Sequence, residues 1–268
     1  MRPNMCNVRD VSDDELSNYV KAQYPECFHG VGKLKNAQVK LHIDPECEPV
    51  AQPVRRLPFS YRGRVEKALT QLVDEDIIEP VQGVASTWVS PLVVVPKEGD
   101  EVRLCVDMRR ANTAIVRERY PVPTVQEMLV ELNGAQVFSK LDLKQGFFQL
   151  ELEPGSRDIT TFVSHVGLFR MKRLGMGVSA APEVFQYTVQ KILSGLSGVL
   201  NMADDIVVFG KDSKEHRKRL MQIMARLSKY NLTLNPAKCC FGLSSIKFLG
   251  HILSKEGVSQ TLPRLSRF

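Results

Sequence analysis

The sequence predicts an α+β domain, a sheet backed by helices on one face. Three observations lead there. Strand-length apolar runs are interspersed with stretches of helical spacing. Several of those runs are joined by short turn-forming segments. The 268-residue chain, 43% hydrophobic and 25% charged, also has the length and composition of a globular domain with a real core.

The elements follow in order. Residues 1–50 carry no sustained periodicity and read as a connector, with the main domain at 51–258. Segment 48–60 holds three prolines and reads as extended, because proline and its predecessor both disfavour helix. A first helix carries Val65, Ala68, Leu69, Leu72 and Val73 on one face and ends before Pro80. Strands are expected at 92–95 and 103–106, separated by the turn Lys97-Glu98-Gly99-Asp100. Thr124 opens a second helix, with Glu127 completing a capping box, Val125, Met128, Leu129 and Leu132 as the apolar face, and Gly134 as the stop.

A strand at 137–141 then ends in Asp142, and the alternation of Phe148, Leu150 and Leu152 predicts another strand at 148–152. Residues 159–173 read as a hairpin turning near Gly167. A third helix buries Phe185, Val189, Ile192 and Leu193. A short hairpin at 199–209 carries Asp204-Asp205 at its tip. The last long helix opens at Asp212 or Ser213 and turns Leu220, Ile223, Met224 and Leu227 inward. There is no internal repeat and no low-complexity tract.

The formal net charge of +6 suits a polyanionic partner, although charge of this size decides nothing alone. None of the six cysteines (Cys6, Cys27, Cys47, Cys105, Cys239, Cys240) forms a C-x-x-C pair, which argues against a zinc ribbon. No basic leader with an apolar core and no membrane-length apolar run is present. The expectation is free, reduced thiols in the cytoplasm or nucleus, without a membrane.

Two acidic positions carry the chemistry. Asp142 ends an apolar strand, and Asp204-Asp205 sit between two apolar runs. If a neighbouring strand brings Asp142 alongside, three carboxylates converge, and their mutual repulsion calls for divalent cations. Oxygen ligands of this hardness suit Mg²⁺, and two such ions can promote an in-line phosphoryl displacement. Adjacent aspartates are also common turn residues, so the pair alone leaves both readings open.

The run Phe138-Ser139-Lys140-Leu141-Asp142-Leu143-Lys144-Gln145-Gly146-Phe147-Phe148 resembles the first catalytic motif of retrotransposon reverse transcriptases. The run Asn201-Met202-Ala203-Asp204-Asp205-Ile206-Val207-Val208-Phe209-Gly210 resembles their second. Further matches come in the family's order: Trp88 to Lys97, Arg103 to Arg109, Ala181 to Gln186, Leu234 to Cys239, and Lys247 to His251. Together they cover residues from about 20 to 258 and resemble the Pol polyproteins of gypsy-like long-terminal-repeat elements.

That resemblance implies a right-hand polymerase fold with fingers and palm subdomains, an antiparallel palm sheet backed by helices. It implies RNA-directed DNA synthesis, in which a primer 3′-hydroxyl attacks a deoxynucleoside triphosphate on an RNA or DNA template. Asp142, Asp204 and Asp205, with the Leu143 carbonyl, would hold two Mg²⁺ ions; Mn²⁺ suits the same ligands. Lys97, Arg103, Met176 and Lys238 would lie on the substrate side. Phe147 would sit beneath the incoming sugar and exclude a 2′-hydroxyl, which argues against an RNA-templated RNA polymerase. Phe248, Leu249, Gly250 and His251 would grip the primer. Asp107, Arg109 and Asn112 would scaffold the fingers, while Arg170, Lys172, Arg173 and the basic cluster at 211–219 would be template contacts or solvated surface.

Three departures stand out. Met202 replaces the widespread tyrosine of the second motif, and Leu174-Gly175-Met176-Gly177 replaces the family's Leu-Pro-Phe-Gly. Residues 259–268 match nothing in the family, so thumb and ribonuclease H regions are expected, if at all, in a parent polyprotein. The rival expectation is an idle nucleic-acid-binding remnant of a decayed element.

Overall fold

The computed structural model describes residues 12–83, 85–97, 99, 101–118, 120 and 125–260. The chain forms two compact units, one of residues 1–32, 121–144 and 188–268, the other of residues 33–120 and 145–187.

The first unit is organised by a four-stranded sheet in the order Cys240–Leu243, Val137–Asp142, Asp205–Gly210, Val199–Met202, with every pair antiparallel. Residues directly opposite in such a ladder share a face. Phe138, Leu200, Val207 and Phe209 therefore share one face and join Leu132, Leu243, Ile246 and Phe248 in a core cluster. Leu141, Ile206 and Val208 occupy the other face and are fully buried. Coverage on both sides explains why 206–209 reads as an unbroken apolar run.

Helix Ser213–Tyr230 packs on this second face. Its expected inward residues, Leu220, Ile223, Met224 and Leu227, are all fully buried. Asp212 caps it by accepting the Glu215 N–H at 2.8 Å, and Glu215 reaches back to the Lys211 N–H at 2.9 Å. Asn231, in the left-handed region, ends it. A Cβ on Gly210 would stand 2.6 Å from the His216 backbone nitrogen, so helix and strand touch through their main chains.

A helix at Ser12–Gln23 is present where the sequence shows no periodicity. Val20 is its fully buried anchor, and it lies against the Cys240–Leu243 strand. One apolar contact per helix is too sparse a signal for a pattern of period 3.6. Helix Val125–Glu131 is present, but the expected cap at Thr124 lies outside the described residues. Strands Ser245–Phe248, His251–Ser254 and Gly257–Gln260 form a separate antiparallel meander.

The second unit holds a five-stranded sheet ordered Ile78–Pro80, Gly167–Met171, Phe162–Ser164, Ser90–Pro96, Val102–Val106. Only the pair between Ser90–Pro96 and Phe162–Ser164 is parallel among its described pairings. Helix Phe59–Asp74 buries Val65 and Leu69. The hairpin expected near Gly167 is observed, with Ser164 paired to Gly167.

The strand expected at 148–152 is a correction. Gln145 adopts φ +50 and throws the chain into a short 3-10 turn, Gly146–Gln149. Glu151 and Leu152 then make only isolated bridges, to Arg173 and Val39. The apolar alternation is genuine, because Leu150 and Leu152 are buried, but the left-handed residue prevents a continuous ladder.

The basic residues considered as template contacts are also partly corrected. Arg173 is buried and donates to the carbonyls of Asp76 and Phe148, at 3.0 Å each. Lys172 pairs with Asp76, and Arg170 with Glu79 and Asp158. Cys27, Cys47, Cys105 and Cys239 are free thiols. Among the described residues, no helix is long and apolar enough to cross a membrane.

Candidate active site

The end of one apolar strand and the start of its neighbour bring the acidic residues together. Asp142 is paired directly with Asp205 across the antiparallel ladder, and Asp205 is paired on its other side with Met202. Asp142, Asp205 and Met202 thus form a row on one face of the sheet. Asp204 lies in the turn preceding Asp205, after Ala203 at φ +49. A non-glycine residue in that region is strained, and such strain persists where the surroundings over-determine the turn.

The chain around Asp142 is sewn down on every side. Its carbonyl accepts the Asn235 N–H at 2.8 Å, and its own N–H donates to Cys239 Sγ at 3.4 Å. The Leu143 N–H donates to the Asp204 carbonyl at 2.8 Å, and the Lys144 N–H to the Thr233 carbonyl at 3.0 Å. Asn235 Oδ1 accepts the Ala237 N–H at 3.2 Å, shaping the following turn.

Two lysines answer the carboxylates. Lys140 Nζ lies 2.8 Å from Asp205, and Lys238 Nζ lies 3.3 Å from Asp142. The Lys238 side chain is 63% exposed against 13% for Asp142, so the lysine can swing away while the carboxylate cannot. Burial pushes the Asp142 carboxyl above its ordinary range; Lys238 opposes the shift and Asp205 adds to it. Asp204 is pushed up by burial first and then by its two acidic neighbours. Asp204 Oδ1 is buried without a hydrogen-bond partner among the described residues.

These groups do not form a closed metal cage: among the described residues, no three His, Cys, Asp or Glu side chains are so arranged. They do present what a hard cation relieves, an orphaned carboxylate oxygen beside carboxyls raised by burial and mutual repulsion. The donor set is all oxygen, which suits Mg²⁺ or Mn²⁺.

The remaining expected residues have clear places. In the first unit, buried Phe248 and half-buried His251 are cross-strand partners on either side of Leu249-Gly250. Both turn residues have positive φ, +49 and +78, the requirement of a type I′ hairpin. Gly250 meets it freely, while exposed Leu249 is held there under strain. His251 Nδ1 is buried without a partner among the described residues.

In the second unit, Lys97 makes a loose pair with Glu101 at 3.5 Å. Arg103 donates to Met176 Sδ at 2.9 Å, so two expected substrate-side residues touch. Met176 is 41% exposed. Asn112 braces its loop, donating to the Gly177 carbonyl and accepting the Ser179 N–H, both at 2.8 Å. Asp107 is held at about 2 by hydrogen bonds from Arg109, with Arg55 adding to the effect. Phe147 is half-buried and meets Phe185 edge to face, with centroids 5.2 Å apart.

Lys140 and Cys239 are site neighbours that sequence reasoning assigned no role. Lys140 was findable, since the period of two puts it on the Asp142 face. Cys239 was not, because its contact comes from a distant loop.

The model of the family described as reverse transcriptase (RNA-dependent DNA polymerase) matches residues 95–253. The chain is 34% identical over 236 residues to the retrovirus-related Pol polyprotein from transposon 412 of Drosophila melanogaster, covering 85% of this chain and 19% of that protein. It therefore spans about a fifth of the length of such curated relatives. Among solved structures, the foamy viral protease-reverse transcriptase bound to double-stranded DNA matches with a TM-score of 0.82 at 20% identity, covering 95% of this chain and 45% of that one. The same protein bound to an RNA/DNA hybrid matches with a TM-score of 0.82 at 20% identity, over 95% and 34%. The fold is accordingly the right-hand polymerase fold.

Proposed function

The chain belongs to the reverse transcriptase (RNA-dependent DNA polymerase) family, and from that premise we propose that it carries the polymerase centre of a gypsy-like retrotransposon Pol protein. It extends a primer 3′-hydroxyl with deoxynucleoside triphosphates along an RNA or DNA template. The observation that carries this reading is the cross-strand pairing of Asp142 with Asp205, beside the unpartnered Asp204 oxygen. The nucleic acids named for the foamy viral structures support the choice of partner.

Asp142, Asp204 and Asp205, with the Leu143 carbonyl, would hold two Mg²⁺ ions or Mn²⁺ in their place. When bound, such ions lower the pKa of the attacking hydroxyl and neutralise charge on the leaving group. The protein's own contribution is placement. The ladder register fixes the separation of the two strand-borne carboxylates. Lys140 pairs with Asp205 and Lys238 with Asp142, and exposed Lys238 is free to turn towards a phosphate. By their places in the motifs, Lys97 and Arg103 take the triphosphate, one as a point charge and one as a planar fork. Met176 borders the incoming base pair, and Phe147 leaves no room for a 2′-hydroxyl. Phe248, Leu249, Gly250 and His251 grip the primer end.

A second reading, an idle nucleic-acid-binding remnant, draws support from the lysines that occupy Asp142 and Asp205. Primer extension on an RNA template separates the two. The chain should incorporate deoxynucleotides with Mg²⁺ present, and the Asp204→Asn variant should not. Equal incorporation by both proteins, or none by either, overturns the polymerase reading.

A further inference from the structure

Two lysines meet the carboxylates at the strand ends, and they are not held alike. Lys238 comes from a turn and its side chain is 63% exposed. Lys140 stands on the strand that ends in Asp142, two residues before it, and its side chain is 25% exposed. The ladder register puts Lys140 directly opposite Val207 on one side and Cys240 on the other. Both belong to the buried core cluster. The four-carbon stem therefore lies over the sheet between two buried neighbours, and the charged end emerges only at the acidic row.

There Lys140 Nζ lies 2.8 Å from Asp205 Oδ2. Against the burial that raises the Asp142 carboxyl, it also acts with Lys238 to bring that group down. A half-exposed ion pair stabilises a fold little. Beside an unpartnered Asp204 oxygen, however, it sets the charge that an arriving cation meets. With both lysines in place, the three ionised carboxylates keep a single uncompensated negative charge. Lys238 can turn away and raise that figure. Lys140, with its stem packed on the sheet, has no such freedom.

We infer that Lys140 is a positioning residue of the centre, a fixed positive charge that pins the Asp205 carboxylate and loosens the centre's hold on divalent cations. This rests on the reading of Asp142, Asp204 and Asp205 as a cation site. The chain alone then offers too little negative charge to hold divalent ions tightly, and a polyanionic substrate supplies the remainder. Lys140 thus keeps the centre from loading fully before its substrate arrives.

The test is Mn²⁺ binding to the full chain, without nucleic acid or triphosphate, followed by the electron paramagnetic resonance of the free ion. Binding lost in Asp204→Asn marks the centre. Lys140→Met keeps the stem and removes the charge, and should bind Mn²⁺ there about tenfold more tightly than the unaltered chain. Lys140→Gln should tighten binding alike, whereas Lys140→Arg should match the unaltered chain. Lys238→Gln should tighten it by no more than about threefold, because solvent screens that charge. Mn²⁺ should also raise the Tm of Lys140→Met by more than that of the unaltered chain. Unchanged affinity in Lys140→Met and Lys140→Gln, or equal tightening in Lys140→Arg, overturns the inference and leaves the cation site standing. If Asp204→Asn loses no Mn²⁺, the cation site itself is overturned, and this inference with it.

Discussion

The hydroxyl of Ser139 lies 2.9 Å from Nε2 of His216 and accepts the Gly242 N–H at 3.0 Å. The Ser139 oxygen thus accepts from the main chain of Gly242 while its hydroxyl shares a hydrogen bond with the ring nitrogen. A single side chain, on the strand that ends in Asp142, thereby joins that strand to its neighbour and to helix Ser213–Tyr230.

His216 makes the fold sensitive to mild acid. Burial, with a smaller contribution from Arg219, pushes its pKa from 6.5 down to about 4. Between those values the unfolded chain binds a proton that the folded chain does not. Stability is therefore full above pH 6.5 and falls as the pH drops towards 4, by on the order of 3 kcal/mol from this group alone. Urea midpoints at pH 7 and pH 5 should show the decline, and His216→Gln should flatten it.

Asp204→Asn should stabilise the cation-free protein. The folded chain raises the Asp204 pKa through burial and acidic neighbours, so the ionised carboxylate opposes folding at neutral pH. Removing the charge should therefore raise the Tm. Thermal melts should also show Mg²⁺ raising the Tm of the parent chain by more than that of the variant. A lower Tm in the variant would contradict the account.

Lys238 is the main influence holding the Asp142 pKa down against burial. Lys238→Gln should let that pKa climb further. The acidic limb of the primer-extension profile should then move to higher pH, with activity lost earlier on acidification. An unmoved limb would show that Asp142 ionisation does not govern the rate.

Phe147→Ala should relax the choice between deoxyribonucleotides and ribonucleotides. Filling space against one hydroxyl is worth about 1–3 kcal/mol, a change of roughly 10–200-fold in relative kcat/KM. The loss of its edge-to-face contact with Phe185 will also cost some stability. The ratio of the two substrates, measured in one preparation, is insensitive to that loss.

Legibility followed the range of the interactions. The start of helix Ser213–Tyr230 was readable to within a residue, because Asp212 and the inward Leu220, Ile223, Met224 and Leu227 are local signals. The approach of Asp142 to Asp205 was readable only as a condition, since ladder register depends on pairing between distant segments. The loop at 233–239 that holds Asp142 from the side left no trace in composition or period. The strand expected at 148–152 failed for a single reason: a left-handed Gln145, a residue type that seldom adopts that conformation. Helix Ser12–Gln23 was missed because its packing rests on Val20, with too few apolar neighbours to make a period.

The missing side chain at Gly210 has a consequence for how this protein can diverge. Main chain rests on main chain there, so no rotamer and no residue on the solvent side of the long helix alters the spacing beneath it. The outer surface of that helix can therefore accumulate substitutions freely while the acidic strand ends keep their positions. Drift would damage the centre only through the few positions that touch the strand directly, and a glycine offers mutation nothing smaller to become.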